Sequence, residues 1–580
     1  MEESTPYDLV IIGAGIHGIA ALKTYRDVHP TASILVLDKG TSIGGVWAKD
    51  HLYPGLHTNN HFKTFFSDYP MSTAGYDTAK DHIPGEHVNE YLCSYAQEFD
   101  LLKYMRFKCK IESATDSGDS RGWTLQVLDE TSGQTPEIIT ARKLIVATGL
   151  TSEPFLPRLE GREEFGAPIY HSSEFTRAER GLGSFKKVVL LGGAKIIPEL
   201  LLQTRLITWL SPCIWGDVDG FASIRKFFHQ SWFGRKIVDG FFAKMGHSTL
   251  KINNYDSNTE TAKLKPWDED VFFIGTNRGL LNYDKDFFEF VRDGTIRIHI
   301  EDITHLSDHT VHLSNDSELP ADVLICGTGW KDTPPIKFVT AKEMGLPGFT
   351  SPSIWKYIPK AEAEIFTKCP KLQDQPSPRP CKPLSDDKET IVKEPYRLYR
   401  FMVPPDFAES RTLAFAGAYR SPATTVIAQA QALWITAFLD GQIVSLSQGI
   451  DSIGGECKFS HADLSKLSNG ILYETVLHTQ FGKWRYSRGF GSRFPEMWFD
   501  CLPYVDMLLQ DVGVQNRRKS SWWGERFTPY WPKDYAGIVG EYLGLKDARQ
   551  KKATTKETRS GDAIDGEAGN PSETTLCGRN

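Results

Sequence analysis

The feature that most constrains this chain is the turn Gly13-Ala14-Gly15-Ile16-His17-Gly18, which follows an apolar run and opens a helical pattern. Tyr7 to Ile12 reads as a buried strand and Ile19 to Val28 carries helical apolar spacing. Ser33 to Leu37 is a second apolar strand, ending at Asp38. A lone Gly-x-Gly-x-x-Gly says little, because glycine-rich turns serve many loops. Here the motif leaves a strand, opens a helix, and is followed about 20 residues after its last glycine by an acid. Gly13 permits a tight turn, Gly15 lets the backbone approach a pyrophosphate, and Gly18 allows close packing of helix on sheet. The helix N-terminus offers unpaired N–H groups to phosphate. Asp38 is placed to accept hydrogen bonds from a ribose 2′-hydroxyl, which favours a nucleotide without a 2′-phosphate. These residues describe a dinucleotide site without saying which dinucleotide.

The 580 residues suffice for two or three cores, and 40% hydrophobic with 24% charged residues is ordinary for a soluble globular protein. A net charge of −7 gives no reason to expect nucleic acid as a partner. The first residues, Met-Glu-Glu-Ser-Thr-Pro, lack the basic start and apolar run of a secretory signal, so the N-terminus reads as mature. No stretch approaches the roughly 20 apolar residues of a spanning helix. Nine scattered cysteines, an odd total without a Cys-x-x-Cys pair, suit free thiols in the cytoplasm better than a disulfide or zinc framework. No metal site is expected.

Gly44-Gly45-Val46-Trp47 and an aromatic stretch, Pro54 to Met71, follow the first unit. Arg106 to Ile111, Trp123 to Leu128 and Lys143 to Ala147 read as strands, the last stopping at Thr148-Gly149. From Lys186 the pattern restarts with the strand Val188 to Leu191 and a second turn, Gly192-Gly193-Ala194. Val323 to Cys326 then meets Gly327-Thr328-Gly329, echoing the Thr148-Gly149 junction. Residues 331–400 read as an insertion with helix near Lys360 to Thr367; Leu413 to Ala416 is a late strand and Thr425 to Leu439 a strong helix. The charged, small-residue-rich tail from Lys546 reads as disordered.

Gly13 to Gly18, Asp38-Lys39, Ile43 to Trp47, Ala147-Thr148-Gly149, Cys326 to Trp330, and Ala428 to Trp434 leading to Leu439-Asp440-Gly441 together resemble the flavin-containing monooxygenase family. The likeness is to its fungal, dimethylaniline-monooxygenase-like members and runs from about residue 6 to 545. It implies an α/β fold of two Rossmann-like dinucleotide-binding domains, the NADP-binding one inserted in the FAD-binding one, plus a C-terminal helical extension. The implied division is FAD-binding 1–182, an apparently shortened NADP-binding-like domain 183–330, FAD-binding 331–445 with the insertion, extension 446–545 and disordered tail 546–580. On this resemblance Gly13, Gly15, Gly18, Asp38, Lys39, Gly44, Gly45, Trp47, Thr148, Gly149, Gly327, Gly329 and Gln431 are cofactor-binding positions for FAD, and Gly192 and Ala194 for NADPH. Trp47 reads equally well as a core aromatic, and Cys326 as a small residue at a strand end.

Such an enzyme must be reduced, react with O2 and keep the reduced oxygen from escaping as hydrogen peroxide, which calls for a dry pocket and fixed hydrogen-bond donors. Leu56-His57-Thr58-Asn59-Asn60, followed by Ser67-Asp68-Tyr69-Pro70, resembles the family stretch with an asparagine beside the flavin, which makes Asn59 the catalytic candidate. An amide donates without titrating. The plain alternative is that both asparagines cap a turn.

The second glycine turn departs from the family. Ala194 replaces its second glycine, bulky Ile197 stands where helix should meet strand, and Val188 to Leu210 is short for a strand–helix–strand unit of about 30 residues. With Pro198 to Leu206 as helix, Ile207 to Leu210 must be the next strand, and no arginine follows to hold a 2′-phosphate. Phe165, His171 and Phe175 keep a family spacing, but Ala167 stands for a glycine. Either part of the crossover is absent, with Thr204 to Trp215 joined too early, or the reductant binds in a changed way. NADPH binding is left open.

Phe221 to Phe242 mixes aromatics with Arg225, Lys226, Arg235 and Lys236, and reads as a packed helix ahead of a substrate lid or a membrane-surface helix. Trp484 to Phe494 is a second aromatic-basic cluster. The leading functional expectation is a monooxygenase acting with FAD, NADPH and O2 on a small organic molecule by hydroxylation, epoxidation or N/S-oxygenation, as a tailoring step in fungal polyketide metabolism. The alternative is a flavoprotein with an impaired reductant site, either a peroxide-producing oxidase or a non-catalytic FAD binder.

Overall fold

The computed structural model describes residues 5–58, 62–78, 81–118, 122–129, 136–192, 204–266, 270–275, 286–347, 352–377, 394–443 and 461–564, excepting the side chains of 178–180, 182, 461–467 and 552–564. The chain divides into two compact units, 1–536 and 537–580. The strands of the first are β1 (Tyr7–Ile12), β2 (Ile34–Leu37), β3 (His57–Thr58), β4 (Ile83–Pro84), β5 (Met105–Arg106), β6 (Cys109–Asp116), β7 (Trp123–Asp129) and β8 (Glu137–Val146). After these come β9 (Ile169–His171), β10 (Val188–Leu191), β11 (Ile303–Ser307), β12 (Thr310–Leu313), β13 (Glu318–Pro320), β14 (Val323–Cys326), β15 (Lys337–Val339) and β16 (Leu413–Phe415).

The largest sheet has the order β15-β6-β7-β8-β1-β2-β5, with β16 also pairing β8. Its centre is parallel: β1 lies between β2 and β8, with Leu9 opposite Ile34 and Lys143. A strand covered on both faces needs apolar residues throughout, and Leu9, Val10 and Ile11 are fully buried. The Ile16–Val28 helix packs against the Thr424–Leu439 helix, which is buried almost all round and accordingly apolar on every face. The fold is therefore α/β around parallel strands, with a helical C-terminal part that includes His461–Arg485 and Cys501–Val512.

A second, three-stranded parallel sheet runs β10-β14-β9. One side rests on a core of Phe165, Leu306, Val311, Leu313 and Leu324, against which Val189 and Leu191 pack.

Three expectations change. Arg106 to Ile111 is not one strand: Lys108 takes φ 58° and separates β5 from β6, which lie apart in the sheet. Ile207 to Leu210, expected as strand, belongs to the helix Arg205–Leu210, because Arg205 pairs with Asp506 and Glu525 of the helical part and Trp209 packs on Phe221, and tertiary docking overrides a β-branched, aromatic local preference. The tail from Lys546 is helical as far as Ile564, within Ile538–Ile564. Its Ala, Lys, Arg, Gln and Glu are good helix formers even where no apolar face is present.

Candidate functional site

The first glycine turn sits at the carboxyl ends of β1, β2 and β8, where parallel α/β sheets present ligand sites. The Gly13 N–H donates to the Leu37 carbonyl at 2.8 Å. Gly13 has φ 111°, and a Cβ there would stand 2.5 Å from the Ala147 oxygen. A Cβ on Gly18 would stand 1.8 Å from the Gly13 oxygen, so this helix can start here only with glycine at 18. Gly15 and Gly45 face each other, a Cβ on Gly45 lying 3.0 Å from the Gly15 Cα. The Gly44 N–H ties that second loop to the Ala14 carbonyl at 3.0 Å. Two bare backbone segments thus meet at the strand ends, a cradle that any side chain would fill.

Asp38 bridges the turn and its own loop. Its carboxylate accepts the Ala14 N–H at 2.6 Å and the Gly40 N–H at 2.7 Å. Lys39 reaches across to the Ser152 carbonyl at 2.7 Å, beside the Thr148-Gly149 junction. Gly149 has φ 67° with open space where a Cβ would be, and Gly329 at φ 91° is equally open. The Trp47 carbonyl accepts from Asn89 Nδ2 at 2.8 Å, so its loop is pinned to the Gly85–Glu98 helix.

Gln431 is fully buried one layer behind the turn. Its Oε1 accepts the Gly417 N–H at 3.0 Å and its Nε2 donates to Tyr504 at 2.9 Å. A Cβ on Gly417 would stand 2.7 Å from Nδ1 of His17, the residue before Gly18 in the turn. His17 Nε2 pairs with the Tyr419 hydroxyl at 2.9 Å, and burial pushes its imidazole down to about 4, so the turn carries a neutral histidine. Sequence reasoning did not single out His17, Gly417 or Tyr419, because no local spacing links position 17 to 419.

Asn59 and Asn60 lie outside the described residues, as does Ala194. The segment after Asn59 is anchored from two sides. Gln429 Oε1 accepts the Ser67 N–H at 3.0 Å, and the Thr425 hydroxyl donates to the Thr64 carbonyl. Lys23, on the helix that the glycine turn opens, pairs with Asp68 at 2.7 Å. The aromatic stretch is therefore fixed to both helices that flank the turn.

The second glycine turn begins as the first does. Gly192 has φ 88°, and a Cβ there would stand 2.7 Å from the Gly327 oxygen. The Gly329 carbonyl accepts from His171 Nε2 at 2.8 Å, while His171 Nδ1 accepts the Ser173 N–H at 3.1 Å. That places the His171 proton on Nε2 and makes the residue a buried cap; burial holds its pKa below the usual value. Phe165 is fully buried in the adjoining core.

Both aromatic-basic stretches are mainly structural. Arg485 is fully buried, its guanidinium 4.3 Å from the Phe272 ring centroid and 4.4 Å from that of Tyr486. Phe221 to Phe242 is two helices broken at Ser231, whose hydroxyl caps the second by accepting the Gly234 N–H at 3.0 Å. Val238 and Phe242 are buried, whereas Trp232 and Phe233 are exposed. Among the described residues no helix is long and apolar enough to cross a membrane, and no His/Cys/Asp/Glu group could hold a metal. Six cysteines, Cys93, Cys109, Cys213, Cys326, Cys369 and Cys501, are free thiols.

The flavin-binding monooxygenase-like family matches residues 7–199. The FAD-dependent monooxygenase resA of Aspergillus sclerotiorum is 30% identical over 607 aligned positions, covering 94% of this chain and 99% of the relative. The FAD-dependent monooxygenase of Pyrenophora dematioidea is 30% identical, covering 89% of this chain and 99% of the relative. Among solved structures, the cyclohexanone monooxygenase of Rhodococcus sp. Phi1 bound to NADP+ superposes with a TM-score of 0.53 at 15% identity. It covers 88% of this chain and 97% of that one, and supports the same two-domain dinucleotide-binding fold.

Proposed function

The chain belongs to the flavin-binding monooxygenase-like family, and from that membership we propose that it uses O2 and electrons from NADPH to place one oxygen atom on a small organic molecule. It is an FAD-dependent monooxygenase, as its relatives over nearly the whole chain are. The proposal adds the electron donor, the residues and the substrate class. The observation that carries it is the cradle at the ends of β1, β2 and β8, where Gly15 faces Gly45 and Asp38 bridges the turn.

In this reading Gly13, Gly15 and Gly18 present helix N-terminal N–H groups to the FAD pyrophosphate, and Asp38 exchanges one of its backbone donors for a ribose hydroxyl. Gly44, Gly45, Trp47, Thr148, Gly149, Gly327 and Gly329 line the extended cofactor, with Lys39 and Gln431 bracing it from outside. When bound, FAD supplies two-electron redox chemistry and the reaction with O2. The chain supplies exclusion of water and a fixed donor. Neutral His17 and the buried, uncharged Thr424–Leu439 helix add no further charge to the turn that Asp38 bridges. Asn59 is the donor we assign beside the ring, since its amide cannot release or take a proton near neutral pH. The domain limits 1–182, 183–330, 331–445 and 446–545 belong to the same proposal.

The fungal sources of the relatives support a tailoring step in secondary metabolism, by hydroxylation, epoxidation or N/S-oxygenation. The test is a single turnover. The flavin is reduced with dithionite under anaerobic conditions, then mixed with 18O2 and candidate polyketides, amines or thioethers, and the products are read by mass spectrometry. One 18O atom in an organic product supports the reading. Oxygen recovered wholly as hydrogen peroxide across that panel would favour the second reading, an oxidase.

A further inference from the structure

We infer that the chain carries only the opening half of its reductant-binding unit, so that the enzyme keeps FAD but does not retain a pyridine dinucleotide. This rests on the proposed function, and it concerns how that same reaction receives its electrons.

The two units begin alike. β1 and β10 are apolar strands, each followed by a glycine at positive φ, Gly13 and Gly192. Each glycine is pressed against a carbonyl at the end of the neighbouring parallel strand, Ala147 after β8 and Gly327 after β14.

They then diverge. β1 has a parallel partner on each side, whereas among the described residues β10 pairs with β14 alone. β10 reads Val-Val-Leu-Leu, the continuous apolar run of a strand covered on both faces. Among the described residues one face is covered, by the core around Phe165. On the other face Val188 is 47% and Leu190 62% exposed, against none for Leu9, Val10 and Ile11 in β1. Natural proteins avoid bare apolar edges of this kind.

Chain length accounts for the lack of cover among the described residues. The crossover from β1 to β2 takes positions 13–33 and includes a 13-residue helix. After β10 only positions 192–204 intervene before the Arg205–Leu210 helix, too few for a comparable helix, its turns and a strand. That helix has left the second sheet. Arg205 is fully buried and pairs with Asp506 and Glu525, and Trp209 packs on Phe221. Among the described residues no strand therefore stands between β10 and that helix to end in a residue equivalent to Asp38, the group that would hold the second nucleotide's ribose or its phosphate. The alignment with the Aspergillus sclerotiorum relative runs over 607 positions against 580 residues here, so that relative carries residues this chain lacks.

Hydride can then reach the flavin only by collision. Each event oxidises one NADPH to NADP+, and the flavin takes up the electron pair.

The test has two arms. Calorimetric titration of the purified chain with NADP+ should give no binding heat up to millimolar ligand. Anaerobic rapid mixing of the holoenzyme with NADPH should bleach the flavin slowly, at a rate linear in NADPH, while dithionite bleaches it fully. Saturable, fast bleaching with a micromolar midpoint, or a binding isotherm for NADP+, would overturn the inference. A preparation without flavin would contradict the FAD reading instead, and the NADP+ titration, which needs no flavin, would still decide this one.

Discussion

The Asp38 carboxylate accepts the Ala14 amide hydrogen at 2.6 Å, closing the glycine turn onto the end of the next strand. The contact ties the acid to the loop that we propose approaches the cofactor. Replacing Asp38 by Ala removes a charged acceptor from two backbone N–H groups and from the proposed ribose. Hydrogen bonds to charged groups contribute about 1.5–3 kcal/mol, so FAD affinity should fall on the order of tenfold to a hundredfold. Titration of the apoprotein with FAD, followed by flavin fluorescence, measures it; unchanged affinity would remove Asp38 from the site.

The glycines separate by what surrounds them. At Gly18 a methyl group would stand 1.8 Å from a backbone oxygen, so Gly18→Ala should destabilise the chain by about 3 kcal/mol or more. At Gly149 there is open space and only a left-handed backbone, so Gly149→Ala should cost about 1 kcal/mol. Thermal unfolding of the two variants should rank them in that order, and the reverse order would contradict the geometry.

His17 gives the pH dependence a sign. Its folded pKa of about 4 lies below the ordinary 6.5, so its contribution is complete above pH 6.5 and is lost as pH falls towards 4. The full span corresponds to about 3 kcal/mol. The partner facing the ring is the Tyr419 hydroxyl, which stays neutral throughout because burial holds its pKa well above the usual value. Stability and FAD retention should both decline between pH 6.5 and 4. His17→Gln should flatten that decline, and an unaltered pH profile in the variant would exclude the histidine as its cause.

Arg205 holds the start of its helix to the helical part through Asp506 and Glu525, all three buried. Removing one partner leaves uncompensated charge, so Arg205→Met should cost about 3–5 kcal/mol in chemical denaturation. Adding Asp506→Leu and Glu525→Met should recover much of the loss. No recovery would mean that the residues act through packing rather than charge.

These residues also mark how far the sequence could be read. The Gly13–Gly18 turn, Asp38, and the strands on either side were legible because a short local stretch carries them, although of the three glycines only Gly18 is required by a neighbour within that stretch. The turn at Gly192 was legible as a glycine closing an apolar strand, and its positive φ agrees with that. Arg205 was not, since Asp506 is 301 residues away and nothing near Ile207-Thr208-Trp209-Leu210 announces a helix docked on distant carboxylates. Gln431 illustrates the middle case. Its helix was plain from apolar content, whereas its bonds to Gly417 and Tyr504 depend on how three segments meet. Lys108, whose positive φ splits an expected strand, gave no local signal at all.

The assignment of FAD to the first glycine unit is tested most directly by the absorption spectrum of the purified chain beside its Gly15→Val variant. A Cβ on Gly15 would stand 3.6 Å from the Gly45 Cα, an ordinary contact, so a valine suits the fold while its methyl groups would occupy the proposed cofactor's place. The predicted result is a yellow protein with about one FAD per chain, and a folded but colourless variant. A colourless parent chain, or a variant that keeps its flavin undiminished, would contradict it.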